Sequence, residues 1–163
     1  MKETMTSINK PHTDNIFSGI KKVEWRTYSL PPGRHHVYET KKGGGLGMVI
    51  GTFRTNTYYR FTNVSDIPEW LIRDGCVSRD FLKAYARGRS IFANIIYDVE
   101  RFELPKSISE YKPYCKNSIE GECTLIGCHY QNYTVTPWDY SAFMCMKKIK
   151  SPPQSFMYVD IGG

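Results

Sequence analysis

Short runs of strand-like pattern recur along this chain, separated by turn signals and a few helix-like runs. Ser7 to Pro11 reads as an extended segment or short strand. A short helix is expected from about His12 to Ser18, with Ile16 and Phe17 turned inward. Gly19 suits its C-terminal stop, where a left-handed residue is needed. From Lys21 to Thr27 the alternation returns: Val23 and Trp25 share one face, Lys22, Glu24 and Arg26 the other. Leu30-Pro31-Pro32-Gly33 is a turn, His35 to Glu39 a strand, residues 42–47 a glycine-rich loop, and Met48 to Arg54 a further strand. Pro68 to Asp74 reads as a helical turn.

The clearest helix runs from about Arg79 to Arg87. Ser78 caps it, Phe81, Leu82 and Tyr85 form its apolar stripe, and Gly88 ends it. Ser90 to Phe102 reads as a long strand, apolar on both faces and stopped by Pro105. Residues 152–159 form a closing strand. Five or six strands with two or three short helices predict a single α+β domain built on a small, barrel-like sheet.

Composition narrows the class. At 163 residues, one domain is expected, with a core that needs no disulfides. The charged fraction of 23% and aromatic fraction of 14% are those of a folded chain rather than a disordered one. No apolar run approaches a membrane span, and the first six residues lack the apolar stretch of a signal peptide. The expectation is a soluble, cytoplasmic protein with no membrane partner. A net charge of +6, with tyrosines and phenylalanines interleaved, suits a polyanion through phosphate neutralisation and base stacking. It equally describes a mildly basic soluble protein.

The segment after Gly19 concentrates the polar chemistry. Glu24 and Arg26 point the same way, so a guanidinium can orient a carboxylate. That carboxylate can accept a base's amino group or act as a general base on water. A lysine beside it can neutralise phosphate or an oxyanion. In a regular strand Lys21 faces away from Glu24, so Lys21 joins the site only from a turn opened by Gly19; otherwise Lys22 is the cation that shares it. A salt-bridged strand face is the plain alternative. Tyr58-Tyr59-Arg60-Phe61 is an aromatic and basic run suited to stacking bases or to packing a core. The loop Gly43-Gly44-Gly45-Leu46-Gly47 lacks the Gly-Lys-Ser/Thr of a phosphate loop and reads as a strand connection, with Lys41 and Lys42 free to contact phosphate. Lys10, Lys22, Tyr59 and Arg60 complete the candidate nucleic-acid contacts. His35 and His36 are adjacent on a strand, face opposite sides, and read as surface residues.

Five cysteines, an odd number, argue against a disulfide framework. Cys115, Cys123, Cys128 and Cys145 lie together in a Cys- and Tyr-rich segment at about 112–149. Four thiolates are the donor set of a structural zinc site, and a polar, irregular segment gains order from one. The spacing lacks Cys-x-x-Cys knuckles, so reduced, partly buried thiols are the alternative. No organic cofactor is expected.

Taken in order, these pieces resemble a known family. Ser7-Ile8, Ile16 and Gly19-x-Lys21-x-x-Glu24-x-Arg26 look like the opening signature of ASCH domains, within the PUA-like superfamily. Residues 37–40 and 49–53 are similar to that family's second and third strands, Ser78 to Gly88 to its central helix, Ile95 to Pro105 to the strand after it, and Pro152 to Phe156 to its closing segment. The resemblance covers roughly residues 5–111 and 150–160, with 112–149 as an insertion. It implies a PUA-like β-barrel with flanking helices and a cleft beside it. The implied activity is RNA or modified-nucleoside binding through a basic cleft holding Lys21, Glu24 and Arg26. Two alternatives stay open: a hydrolase acting on RNA or an acylated nucleoside in that cleft, and a non-catalytic interaction module. In the branch that deacetylates N4-acetylcytidine, the lysine matching Lys21 is catalytic; the position of Glu24 is a threonine there, so this chain departs from that branch. The resemblance does not reach the oligomeric state.

Overall fold

In this computed structural model the described residues are 2–114, 118–119, 122–123, 149 and 151–160. They form β1 (Lys2–Ile8), α1 (His12–Phe17), β2 (Val23–Arg26), β3 (Gly33–Glu39), β4 (Met48–Phe61), α2 (Glu69–Asp74), α3 (Arg79–Ala86), β5 (Ile91–Lys106), β6 (Lys112–Pro113), β7 (Ser118–Ile119), β8 (Glu122–Cys123) and β9 (Phe156–Asp160). Single 3-10 turns lie at Val64–Asp66 and Ile108–Glu110.

Seven strands make one mixed sheet in the order β2-β5-β4-β3-β1-β9-β6. Only β1 and β3 pair in parallel; the other pairings are antiparallel. The α+β expectation stands, but a closed barrel does not: among the described residues, β2 and β6 are edges with no hydrogen bonds joining them. The curl comes instead from the long β4–β5 ribbon, whose register shifts three times. Each shift inserts unpaired residues and bends the strand.

The bulges also explain where β4 and β5 depart from their expected lengths. β5 runs past Pro105, because pairing jumps from Arg101 opposite Gly51 to Lys106 opposite Val49. Pro105 therefore sits where the ladder requires no N–H. Asp98, at φ +50, lies in the shift between Arg54 and Thr52. The expected burial of both faces holds only to Ile96; beyond it Tyr97 and Val99 are exposed. β4 continues through Phe61 because its polar and aromatic second half stays paired with Ile91–Ile96.

Packing divides into three clusters. Val23 and Trp25 of β2 and Ile91 and Ala93 of β5 pack on Leu71, Ile72, Leu82 and Ala86 of α2 and α3. Ile16 of α1 packs with Val37, Ile50, Phe53 and Ile96 inside the curl. Met5, Tyr38, Val49, Tyr111, Ile149 and Val159 close the far end. α3 is capped as expected: the Ser78 hydroxyl accepts from the Phe81 N–H at 3.1 Å, and Arg87 takes the left-handed cap ahead of Gly88. Gly51 is fixed by close approach, since a Cβ there would collide with the Glu100 carbonyl oxygen and with Phe17.

Both histidines of β3 are buried rather than on the surface. His35 stacks on Phe53 with ring centroids 5.1 Å apart. Its Nε2–H donates to the Pro31 carbonyl at 2.8 Å, which leaves Nδ1 to accept from Thr6 Oγ1 at 3.1 Å. His36 meets Glu3 at 2.6 Å and Tyr111 at 3.2 Å. The alternation reading placed them on opposite sides of the strand correctly; a sheet covered on both faces buries both sides.

Burial pushes the His35 imidazole down from 6.5 to about 4. The unfolded chain then binds more protons between those values, so stability is complete above pH 6.5 and falls as pH drops toward 4. The loss is on the order of 3 kcal/mol. Urea titrations from pH 7.5 to 4 (roughly the window set by those values) are expected to show this decline, and the His35 imidazole proton resonance is expected not to titrate above pH 5 or so. Gly51→Ala is expected to cost about 1–3 kcal/mol through overpacking, read from the same denaturation curves.

Candidate functional site

The candidate residues are brought together by one sharp turn. α1 ends at Phe17, Gly19 adopts φ +76, and the Lys21 N–H folds back onto the Asn15 carbonyl at 2.8 Å. Lys21 thus precedes β2 instead of lying on it, and its side chain reaches the side that Glu24 and Arg26 share. Lys22, the alternative cation, is exposed; its backbone N–H bonds Asp74 and its carbonyl bonds Ile96.

Glu24 bridges the two cations. Its Oε1 lies 2.9 Å from Arg26 Nη2 and its Oε2 lies 3.5 Å from Lys21 Nζ. All three side chains are almost wholly buried, so charge pairing is obligatory rather than decorative. Further anchors come from distant segments. Lys21 Nζ donates to the Gly75 carbonyl at 2.7 Å, and Arg26 Nη2 donates to the Ser7 carbonyl at 2.7 Å. Arg26 Nη1 reaches the Tyr28 hydroxyl at 3.4 Å. Gly75 must be glycine for this approach, because a Cβ would overlap the Trp25 indole.

The electrostatics follow from those contacts. Burial alone would raise the Glu24 carboxyl, but Arg26 and then Lys21 outweigh it and hold it below the usual carboxylate range. Burial disfavours the Arg26 charge, yet Glu24 overrides that and raises its pKa. His12, at the start of α1, is pushed down first by burial and then by Lys21, so its ring is neutral at pH 7. Burial raises the Tyr85 phenol, which also faces Arg26 and Glu24.

These groups floor a cleft of about 460 Å³. Phe81 and Tyr85 of α3 form one wall, stacked at 5.9 Å with 7° between planes. Ser7 to Asn9, Thr40 and Pro152–Gln154 form the other side, held by the Ser7 hydroxyl on the Pro153 carbonyl at 2.7 Å. Among the described residues, three buried polar atoms of cleft residues lack a hydrogen-bond partner: His12 Nδ1, Trp25 Nε1 and Arg26 Nε. Buried polar groups are normally satisfied, so each of these atoms calls for a partner, whether an ordered water or a bound molecule.

Several cleft residues were not singled out from the sequence. Phe81 and Tyr85 read as core stripe on α3, yet Leu82 and Ala86 take that role and Phe81 stands 46% exposed. His12 read only as the first residue of a helix. Nothing in the sequence sets Ser7, Asn9 and His12 apart, because the whole strand-to-helix junction from Ser7 to Asn15 is polar apart from Ile8 and Pro11.

The remaining candidates lie apart from this cleft. Lys10 pairs with Asp14 at 3.8 Å, and Lys41 and Lys42 are exposed on the glycine-rich loop. That loop wraps a resident anion: Glu39, itself buried, accepts from the Leu46 N–H at 2.8 Å and from Thr13 Oγ1 at 2.6 Å. It is a strand connection clasped by a carboxylate, as the missing Gly-Lys-Ser/Thr implied. Tyr59 and Arg60 project from opposite faces of β4. Cys115, Cys128 and Cys145 lie outside the described residues, and of Cys123 only the backbone of β8 is described. Among the described residues no group of His, Cys, Asp or Glu could hold a metal, and no described helix is long and apolar enough to cross a membrane.

Removing the bridging charge should be costly. Glu24→Gln leaves two buried cations facing each other and is expected to destabilise by about 3–5 kcal/mol, measured by denaturant unfolding at pH 7. The same carboxylate contributes stability that is present above its unfolded pKa and lost as pH falls through its lower folded value.

No family model matches the chain, and no curated protein matches it. Solved structures do. The ASCH protein from Zymomonas mobilis is similar at 21% identity and a TM-score of 0.55, over 64% of this chain and 73% of that one. A serine-to-alanine form of that protein gives the same identity and TM-score over 64% and 72%. A tyrosine-to-phenylalanine form gives 21% and 0.56 over 66% and 77%. The mixed sheet, with α1 and α3 flanking a cleft at β2, is therefore an ASCH-like fold.

Proposed function

We propose that the cleft binds a nucleoside or nucleotide unit, as part of RNA or as a modified nucleoside. The observation that carries this reading is the buried Lys21–Glu24–Arg26 group on the floor of a nucleoside-sized cleft, with unpartnered polar atoms beside it. A volume of about 460 Å³ lies in the range of small-molecule sites and excludes a duplex. Phe81 offers a flat, exposed ring against which a base can stack. Two cations against one carboxylate leave a net positive floor suited to an anionic or electron-rich edge.

Glu24 supports binding over proton abstraction. A carboxylate held below its usual range by two cations is a weak base, but a strong hydrogen-bond acceptor for an amino group. One observation favours a hydrolytic second reading: the neutral His12 ring shares the cleft with Lys21, so an uncharged base and a cation flank the same space. An acyl-nucleoside hydrolase would release free acid in a reaction that Lys21→Met abolishes while the fold persists.

Calorimetric titration with nucleoside monophosphates and short RNA at low salt tests the primary reading. Saturable binding is expected, weakened about ten-fold or more by Phe81→Ala, which removes an exposed ring and leaves the core intact. Arg26→Ala is expected to weaken it further. Lys22→Ala, on the outer surface, is expected to change little. Absence of saturable binding to every nucleotide and RNA tried would refute it.

A further inference from the structure

His12 shares the cleft with Lys21, Glu24 and Arg26. Its place is fixed from both ends of α1. Beside it, the Thr13 hydroxyl donates to Glu39 at 2.6 Å; past the far end, the Lys21 N–H donates to the Asn15 carbonyl at 2.8 Å. The imidazole is half-buried and tilted against Phe81, with ring centroids 6.4 Å apart. Its Nδ1 is buried and has no hydrogen-bond partner among the described residues. His35 and His36, by contrast, are engaged through both ring nitrogens. His12 can therefore gain a proton at Nδ1 without breaking a hydrogen bond of the fold, and they cannot.

The charges around it are few. Lys21, Glu24 and Arg26 are the charged residues that line the cleft with His12, and two cations less one carboxylate leave one net positive charge. α3 contributes Phe81 and the Tyr85 phenol, which burial keeps protonated; Ser7 to Asn9, Thr40 and residues 152–154 bring no charge. Close by, Lys10 and Asp14 pair with each other at 3.8 Å, and Glu39 is held by Thr13 and the Leu46 N–H. A proton on His12 adds a second net positive charge to this partly buried space. Burial first, and then Lys21, accordingly lower its pKa from 6.5. An anion in the cleft reverses that balance, because an opposite charge nearby favours the imidazolium. The coupling is reciprocal: an anion that promotes protonation is itself bound more tightly where the ring is protonated.

We propose that the cleft takes up its anionic ligand together with a proton, that His12 receives the proton, and that affinity rises as pH falls below neutrality. This rests on the reading that the cleft takes a nucleotide, and it adds that the phosphate lies within reach of the His12 ring. Affinity climbs as pH falls through the imidazole's pKa in the complex and levels off below its lower value in the free protein.

The test is calorimetric titration with cyclic uridine monophosphate and with uridine, from about pH 8 down to about pH 5.5. The cyclic phosphodiester is chosen because a phosphate monoester itself titrates near pH 6 or so, at about its second pKa. Circular dichroism checks the fold at each pH. The cyclic nucleotide is expected to bind at least about five-fold more tightly at the acid end, and uridine to show no such gain. Repeating the titration in two buffers of different ionisation enthalpy is expected to show net proton uptake with the cyclic nucleotide alone. His12→Gln is expected to flatten the pH profile and abolish the uptake. In the wild-type protein, the NMR titration midpoint of His12 is expected to rise when the cyclic nucleotide is bound, while those of His35 and His36 stay in place. That midpoint and the proton count decide the matter even if His12→Gln does not fold. The proposal is overturned if cyclic nucleotide affinity is independent of pH, if His12→Gln keeps the proton uptake, or if the His12 midpoint does not move. Saturable binding with any of those results leaves the nucleotide reading standing. Binding of neither ligand at any pH refutes both.

Discussion

A carboxylate buried between two buried cations organises this molecule. Unpaired, any of the three would be too costly to hold in the interior, so their neighbours must be in place before they can be. Lys21 requires the Gly75 carbonyl from the α2–α3 junction. Arg26 requires the Ser7 carbonyl from β1 and Glu24 from its own strand. One ion group therefore ties the N-terminal strand, the helical layer and the edge strand β2 together, and the cleft opens where those three segments meet. The charges are rigid because they are satisfied from several directions at once, and a rigid polar floor loses little entropy when it meets a ligand.

The same principle separates the cleft from the rest of the polar interior. Elsewhere among the described residues, most buried polar groups are paired off. Glu39 is consumed by the loop it clasps, His35 by Thr6 and Pro31, and Asn94 by the Leu30 N–H and the Glu24 carbonyl. At the cleft, His12 Nδ1, Trp25 Nε1 and Arg26 Nε are left open. Three of the four unpartnered buried atoms among the described residues belong to cleft residues; the fourth, Arg54 Nε, lies 3.1 Å from Asp98 Oδ2.

Much of the fold was legible in the chain. Period-two alternation located β2 and β3, and Ser78 with Gly88 bracketed α3 to within a residue. The lengths of β4 and β5 were not legible. Bulges let a strand pass a proline and switch its exposed face, and a bulge has no reliable local signature when the extra residue is not glycine, as at Asp98. Closure into a barrel was likewise beyond local reading, since it depends on whether two distant edges meet.

For the site, the chain by itself determined that Glu24 and Arg26 share a face, because that follows from strand geometry alone. It also determined that Lys21 could join them only from a turn, with Gly19 as the residue able to make one. Only the tertiary structure decided that the turn forms, that Gly75 and Ser7 supply the remaining anchors, and that His12, Phe81 and Tyr85 line the space in front. It also showed that Tyr58, not Tyr59, shares a face with Arg60 and Arg26. The physical reason is range: alternation and backbone sterics act over a few residues, whereas burial and ion pairing join segments more than fifty residues apart, such as Lys21 with Gly75.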